Sequence, residues 1–88
     1  MLKVQEAANG GEAVLTLIGR MDAENVAELE TLFSSQAKGR RIVLDLKDLT
    51  LVDRVAVSFL ESKETHGMQL KNCPGYIREW ITRERHED

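Results

Sequence analysis

Apolar positions alternate with polar ones in short stretches and recur at three- and four-residue intervals between those stretches, so strands and helices should take turns along the chain. The clearest strand is Ile42-Val43-Leu44-Asp45-Leu46, where Ile42, Leu44 and Leu46 fall at period two and share a face. Val43 points to the other face, which predicts a strand covered on both sides. Leu2 to Glu6 alternates weakly and reads as a short edge strand. Asn9-Gly10-Gly11 is a turn signal, because Asn and Gly tolerate positive φ. Ala13, Leu15 and Leu17, interleaved with Val14, Thr16 and Ile18, then predict an interior strand completing a hairpin. Gly19-Arg20-Met21 breaks that pattern.

Helical spacing begins after Asp22, a predicted cap, with Glu24 in the first turn facing the positive end of the helix dipole. Val26, Leu29, Phe33 and Ala37 recur along one face with Leu32 beside them, and Gly39 is the predicted stop. The acid-rich connection after Leu46 leads to Asp53, placed as the N-cap of a second helix from Arg54 to about Thr65. There Ala56 pairs with Leu60, and Val55 with Phe59, at i, i+4, and Gly67 ends the helix just beyond His66. Met68 to Lys71 is a short strand candidate. Pro74 then takes the first position of a third helix, packed down by the pairs Tyr76/Trp80 and Ile77/Ile81. The order β-β-α-β-α-β-α predicts an α/β fold: a mixed four-stranded sheet with about three helices packed mainly on one face.

Composition narrows the function. The 88 residues suit a single domain spanning 1–88. A net charge of −3 at pH 7, with acids interspersed among Lys38, Arg40, Arg41, Arg78, Arg83 and Arg85, argues against nucleic acid as a partner. No apolar run reaches the ~20 residues of a membrane span, and Met1 to Glu6 lacks a signal-peptide core, so a cytoplasmic protein that does not engage membranes is expected. The single cysteine, Cys73, excludes an internal disulfide.

Three segments together resemble the STAS domain family, the fold of bacterial anti-sigma factor antagonists and of the cytoplasmic tails of sulfate transporters. Leu17-Ile18-Gly19-Arg20-Met21-Asp22, followed by Asn25-Val26 and Leu29, is similar to the family's run from strand into first helix. Ile42 to Leu46, then Leu49 and Val52-Asp53, is similar to its central strand and approach to the regulatory loop, and Asn72-Cys73-Pro74 through Trp80 to its last strand-to-helix passage. The family loop reads Asp-Ser-Ser-Gly or Asp-Ser/Thr-x-Gly, with the second position after Asp phosphorylated by a partner kinase. Here the loop reads Asp53-Arg54-Val55-Ala56, so a side chain without oxygen stands at the phosphorylation position. Ala56 in place of Gly implies an ordinary helical φ or a displaced first turn.

The resemblance implies a non-enzymatic interaction module of bacterial signalling. Its partner would be an anti-sigma factor or related kinase-like regulator, docked through Met21, Asp22, Asp53, Arg54, Val55 and Ser58. It would lack the usual phospho-switch. The alternative is a structural or scaffolding subunit, as a homodimer or as part of a signalling complex. An enzyme is not expected, since no nucleophile, base and metal set converges. No cofactor or metal is expected either: His66 and His86 have no second ligand at metal spacing. Cys73 before Pro74 is read as a small, buried residue rather than a reactive thiol.

Overall fold

The computed structural model describes residues 1–36 and 40–86. Its elements are β1 (Leu2–Asn9), β2 (Glu12–Met21), α1 (Ala23–Gln36), β3 (Arg41–Asp45), β4 (Leu49–Val52), α2 (Arg54–Thr65), β5 (Gln69–Lys71) and α3 (Gly75–His86). The four expected strands and three helices follow in the expected order, and the segment read as a connection before Asp53 supplies a fifth strand, β4. Strands run β1-β2-β3-β5 across the sheet, with β4 paired to β2. β1 and β2 are antiparallel, whereas β2–β3, β2–β4 and β3–β5 are parallel.

Asn9 opposes Glu12, so Gly10 and Gly11 form the hairpin tip, with Gly10 at φ 64°. β1 extends to Asn9, beyond the expected Glu6, because backbone pairing with β2 continues where the side chains Ala7 and Ala8 are exposed and have no reason to alternate. Nor does β2 end at Gly19. Its register with β4 shifts between Gly19 and Arg20, where Thr50 is the extra residue on β4, and pairing with Leu51 and Val52 carries β2 on to Met21. Gly19 sits at φ 99°, and a Cβ there would lie 2.8 Å from the Met1 carbonyl oxygen.

The strands put Leu15, Leu17, Met21, Leu44 and Leu46 into one cluster with Leu29 and Phe33 of α1, Ala56, Val57 and Leu60 of α2, and Ile77 and Ile81 of α3. All three helices therefore share one face of the sheet. Val43, expected to signal cover on both sides, is buried but stands outside that cluster, flanked in register by Val14 and Gln69. Neighbouring strand side chains, not a helix layer, shield it.

α1 meets α2 through Phe33 and Phe59, stacked with centroids 5.7 Å apart. Lys63 Nζ lies over both rings and is held 2.7 Å from Glu30. The expected Ala37 contact and Gly39 stop lie outside the described residues. In α2 the buried face is Ala56, Val57, Phe59 and Leu60, so Val55 does not pack inward with Phe59. Gly67, at φ 99°, closes the helix after the C-cap His66. Pro74 is the N-cap of α3 rather than its first residue, its carbonyl accepting from Arg78 N at 2.9 Å. Ile77, Ile81 and Trp80 pack inward as expected; Tyr76 stays half-exposed and its hydroxyl donates to the Thr50 carbonyl.

Candidate docking site at the Asp53 junction

The junction between β4 and α2 is built by backbone groups that need partners. A helix leaves its first N–H groups unsatisfied, and Asp53, extended at φ −105° and ψ 179°, serves two helices at once. Its Oδ1 accepts from Ala56 N at 2.9 Å, capping α2. Its Oδ2 accepts from Ala23 N at 3.1 Å, at the start of α1. Asp53 N donates to the Met21 carbonyl at 3.3 Å, completing the tie between the two strand ends. With both oxygens taken by backbone donors, this carboxylate is a structural clasp, in line with its expected place as a cap.

Asp22 caps α1 by a reciprocal arrangement. Its Oδ1 accepts from Glu24 N at 3.1 Å, while its own N–H donates to Asn25 Oδ1 at 2.9 Å. Arg20, just upstream, lies 3.8 Å from the other Asp22 oxygen.

Six residues were expected to form the contact surface, and the structure sorts them into rim and interior. Arg54 and Val55 stand exposed in the first turn of α2, beside the half-buried Asp22 and Asp53. Ser58 is exposed one turn further on, its Oγ donating to Glu84 Oε1 at 2.6 Å. The same Glu84 approaches Arg54 at 3.7 Å, so α3 braces this end of α2. Met21 differs: its side chain is fully buried, and it contributes to the junction only through its backbone. Ala56 is buried and has no positive φ, so the first turn of α2 is an ordinary helical turn without a glycine.

Two further residues join the rim. Leu51 on β4 and Tyr76 on α3 are exposed large apolar side chains, Leu51 two residues before Asp53 and Tyr76 bonded to the neighbouring Thr50. The alternation Leu49, Leu51 inside an acid-rich turn was the only sequence signal for the first. The second had none, since its i, i+4 partner Trp80 pointed to the core.

Other candidate chemistry is weaker. Cys73 is half-buried, and burial pushes its thiol up from its ordinary value, away from the reactive thiolate. His66 Nδ1 lies 2.7 Å from the Ser62 carbonyl oxygen. Among the described residues, no three His, Cys, Asp or Glu side chains converge on a point where a metal would sit. No helix among them is long and apolar enough to cross a membrane.

The sequence model of the STAS domain matches residues 3–66, from β1 to the C-cap of α2. Among solved structures, a Shewanella loihica PV-4 protein of the DUF3478 family, described as having a SpoIIAA-like fold, is similar with a TM-score of 0.58. The two share 17% identity over 97% of this chain and 76% of that one, a likeness of fold. No curated protein matches the sequence.

Proposed function

Because the chain belongs to the STAS domain family, we propose that it is a non-enzymatic module that docks another protein through the Asp53 junction and the first turns of α2. One observation carries this reading. Three of the four exposed large apolar side chains among the described residues, Leu51, Val55 and Tyr76, border this junction; the fourth, Met1, lies across Arg20, whose N–H donates to its carbonyl. Exposed apolar groups gathered at one place, rimmed by charge, are the ordinary mark of an interaction surface.

By family analogy the partner is an anti-sigma factor or a related kinase-like regulator, and control is by competition for that partner alone. A phosphate at a helix N-terminus would add about −1.5 to −2 charge and repel a docked surface. Val55 has no hydroxyl to receive one, so this means of control is missing at the usual position. Intact-mass measurement after incubation with serine kinases should find no phosphate on the loop; a phosphopeptide spanning Thr50 to Ser58 would refute this.

The docking reading is tested by affinity capture from the native lysate, comparing the wild type with an Arg54→Glu, Val55→Glu variant. A regulator of histidine-kinase fold retained by the wild type and lost by the variant is the expected result. Identical partners on both proteins would move docking away from this junction. That outcome would favour a scaffolding subunit, a reading supported by β1, an eight-residue strand at the sheet's edge open to a second copy. Light scattering would then report a stable dimer.

A further inference from the structure

We infer that β1 is the seam of a twofold homodimer, in which the same strand of a second copy runs antiparallel along it; this deepens the dimer raised above and rests on that reading. One hydrogen bond shows which backbone groups face the edge. Arg20 N donates to the Met1 carbonyl at 3.1 Å, and the β1–β2 register, continued by one residue, sets the two opposite each other. Bonded positions alternate along an antiparallel pair, so Lys3, Gln5, Ala7 and Asn9 turn their N–H and C=O groups towards β2. Leu2, Val4, Glu6 and Ala8 turn theirs to the open edge. Among the described residues the sheet offers no second edge of this kind. β5 has three residues, followed by Asn72 at φ 55° and by Pro74. β4 has four, and its Thr50 carbonyl accepts from Tyr76. A chain with one long edge closes on a single copy of itself instead of growing into a fibre.

The residues of β1 select one register. About a twofold axis through Gln5, normal to the sheet, Leu2 faces Ala8, Val4 faces Glu6 and Lys3 faces Ala7. Every edge-facing position then meets a partner, and no like charges are opposed. Sliding the copy by two residues in one direction leaves Ala8 without a partner strand. Sliding it in the other sets Glu6 directly against Glu6, which is unfavourable across a strand pair.

The chain also supplies a knob and a hole for this register. Beside the end of β1 a depression of about 270 Å³ is lined by Glu6, Ala7, Ala8, Ala13 and Arg40. Ala8 and Ala13 are register partners, and the three alanines leave space that longer side chains would fill. Leu2 of the second copy, opposite Ala8 and on the same face of the sheet, enters there. In a single chain Leu2 and Val4 are only half-buried, at the margin of the core. Pairing covers both and joins the two cores along the seam. Any strand could satisfy the edge-facing N–H and C=O groups, but this one carries a leucine at the position whose twofold mate borders the depression.

Light scattering over a concentration series tests the dimer, and two substitutions test the seam. One strand pair is a small interface, so the mass should rise from one chain to two as concentration increases. Ala8→Arg fills the depression with a charged side chain and should raise the dissociation constant about tenfold or more. Gln5 meets its own copy at a position without ladder bonds, where Cα atoms lie about 4.5 Å apart, within reach of a disulfide. Gln5→Cys in a Cys73→Ser background should therefore link two chains under oxidised glutathione, and Lys3→Cys in the same background should not. A dimer that Ala8→Arg leaves intact, or that Gln5→Cys fails to link, would overturn the β1 seam while the dimer raised above stands. The mass of one chain throughout would overturn both and leave the edge to a strand of another protein. Circular dichroism of each variant confirms that the fold is kept.

Discussion

At the scale of single residues, Asp53 carries more than an ordinary cap. One N-cap hydrogen bond contributes about 0.5–2 kcal/mol, and this carboxylate makes one to each of two helices. Replacing it by alanine leaves the Ala23 and Ala56 N–H groups without their acceptor. We expect Asp53→Ala to lower stability by about 2 kcal/mol, seen as a lower urea midpoint at unchanged slope. That slope separates loss of a native contact from a change in the unfolded chain. The acid of the loop thus has a structural reason to be there whether or not a switch operates. Its cap to α2 was legible in the sequence, because an acid immediately before a helical pattern is a local signal. Its bond to Ala23 was not, since nothing local connects positions 30 residues apart.

At the scale of elements, α2 and α3 are joined by charge as well as by Leu60, Ile77 and Ile81. Arg78 holds Glu64 with two bonds of 2.8 Å, and Arg85 adds a third at 2.7 Å. The hydrogen bond from Arg78 is the main cause that holds the Glu64 carboxyl at about 2, against 4.5 unperturbed. The folded value lies below the unfolded one, so the resulting stability is present above pH 4.5 and lost as pH falls from 4.5 towards 2. Solvent screening at this partly open site keeps the contribution near ~1 kcal/mol. Glu64→Gln should therefore flatten the pH dependence of the thermal midpoint within that window and change little in its shape above it. The helices were legible because three or four apolar residues recur on one face of each. β4 was not, because four residues are too few to establish a period and its pairing with β2 skips Thr50. Tyr76 was assigned inward by spacing alone. Spacing gives the face of a helix, but which angle of that face is covered depends on where the neighbouring elements end.

At the scale of the whole molecule, the matched family region ends at residue 66, whereas the core does not. Ile77 and Ile81 of α3 are fully buried in the same cluster as Leu15 and Leu44. Losing each should cost about 2–5 kcal/mol, and a domain of this size has only about 5–15 kcal/mol in total. A chain cut after Asn72 should accordingly fail to fold, with circular dichroism lacking a cooperative thermal transition. The one-sided helix layer was legible from element order. The uncovered face was not, because Val43 is shielded by neighbouring strands and reads in sequence like a residue beneath a helix.

The double clasp at Asp53 also has a kinetic consequence. Its two halves close over very different lengths of chain: Ala56 is three residues away and Ala23 thirty. The short half can form as soon as α2 begins to coil, while the long half must wait until α1 and β4 have been brought together. Asn at position 53 keeps one oxygen for the near donor and gives up the far one. Stopped-flow measurements on Asp53→Asn should find refolding at the wild-type rate and faster unfolding, the pattern of a contact made after the transition state. A carboxylate that looks like an element of signalling would then act as the latch that sets how long the native state lasts.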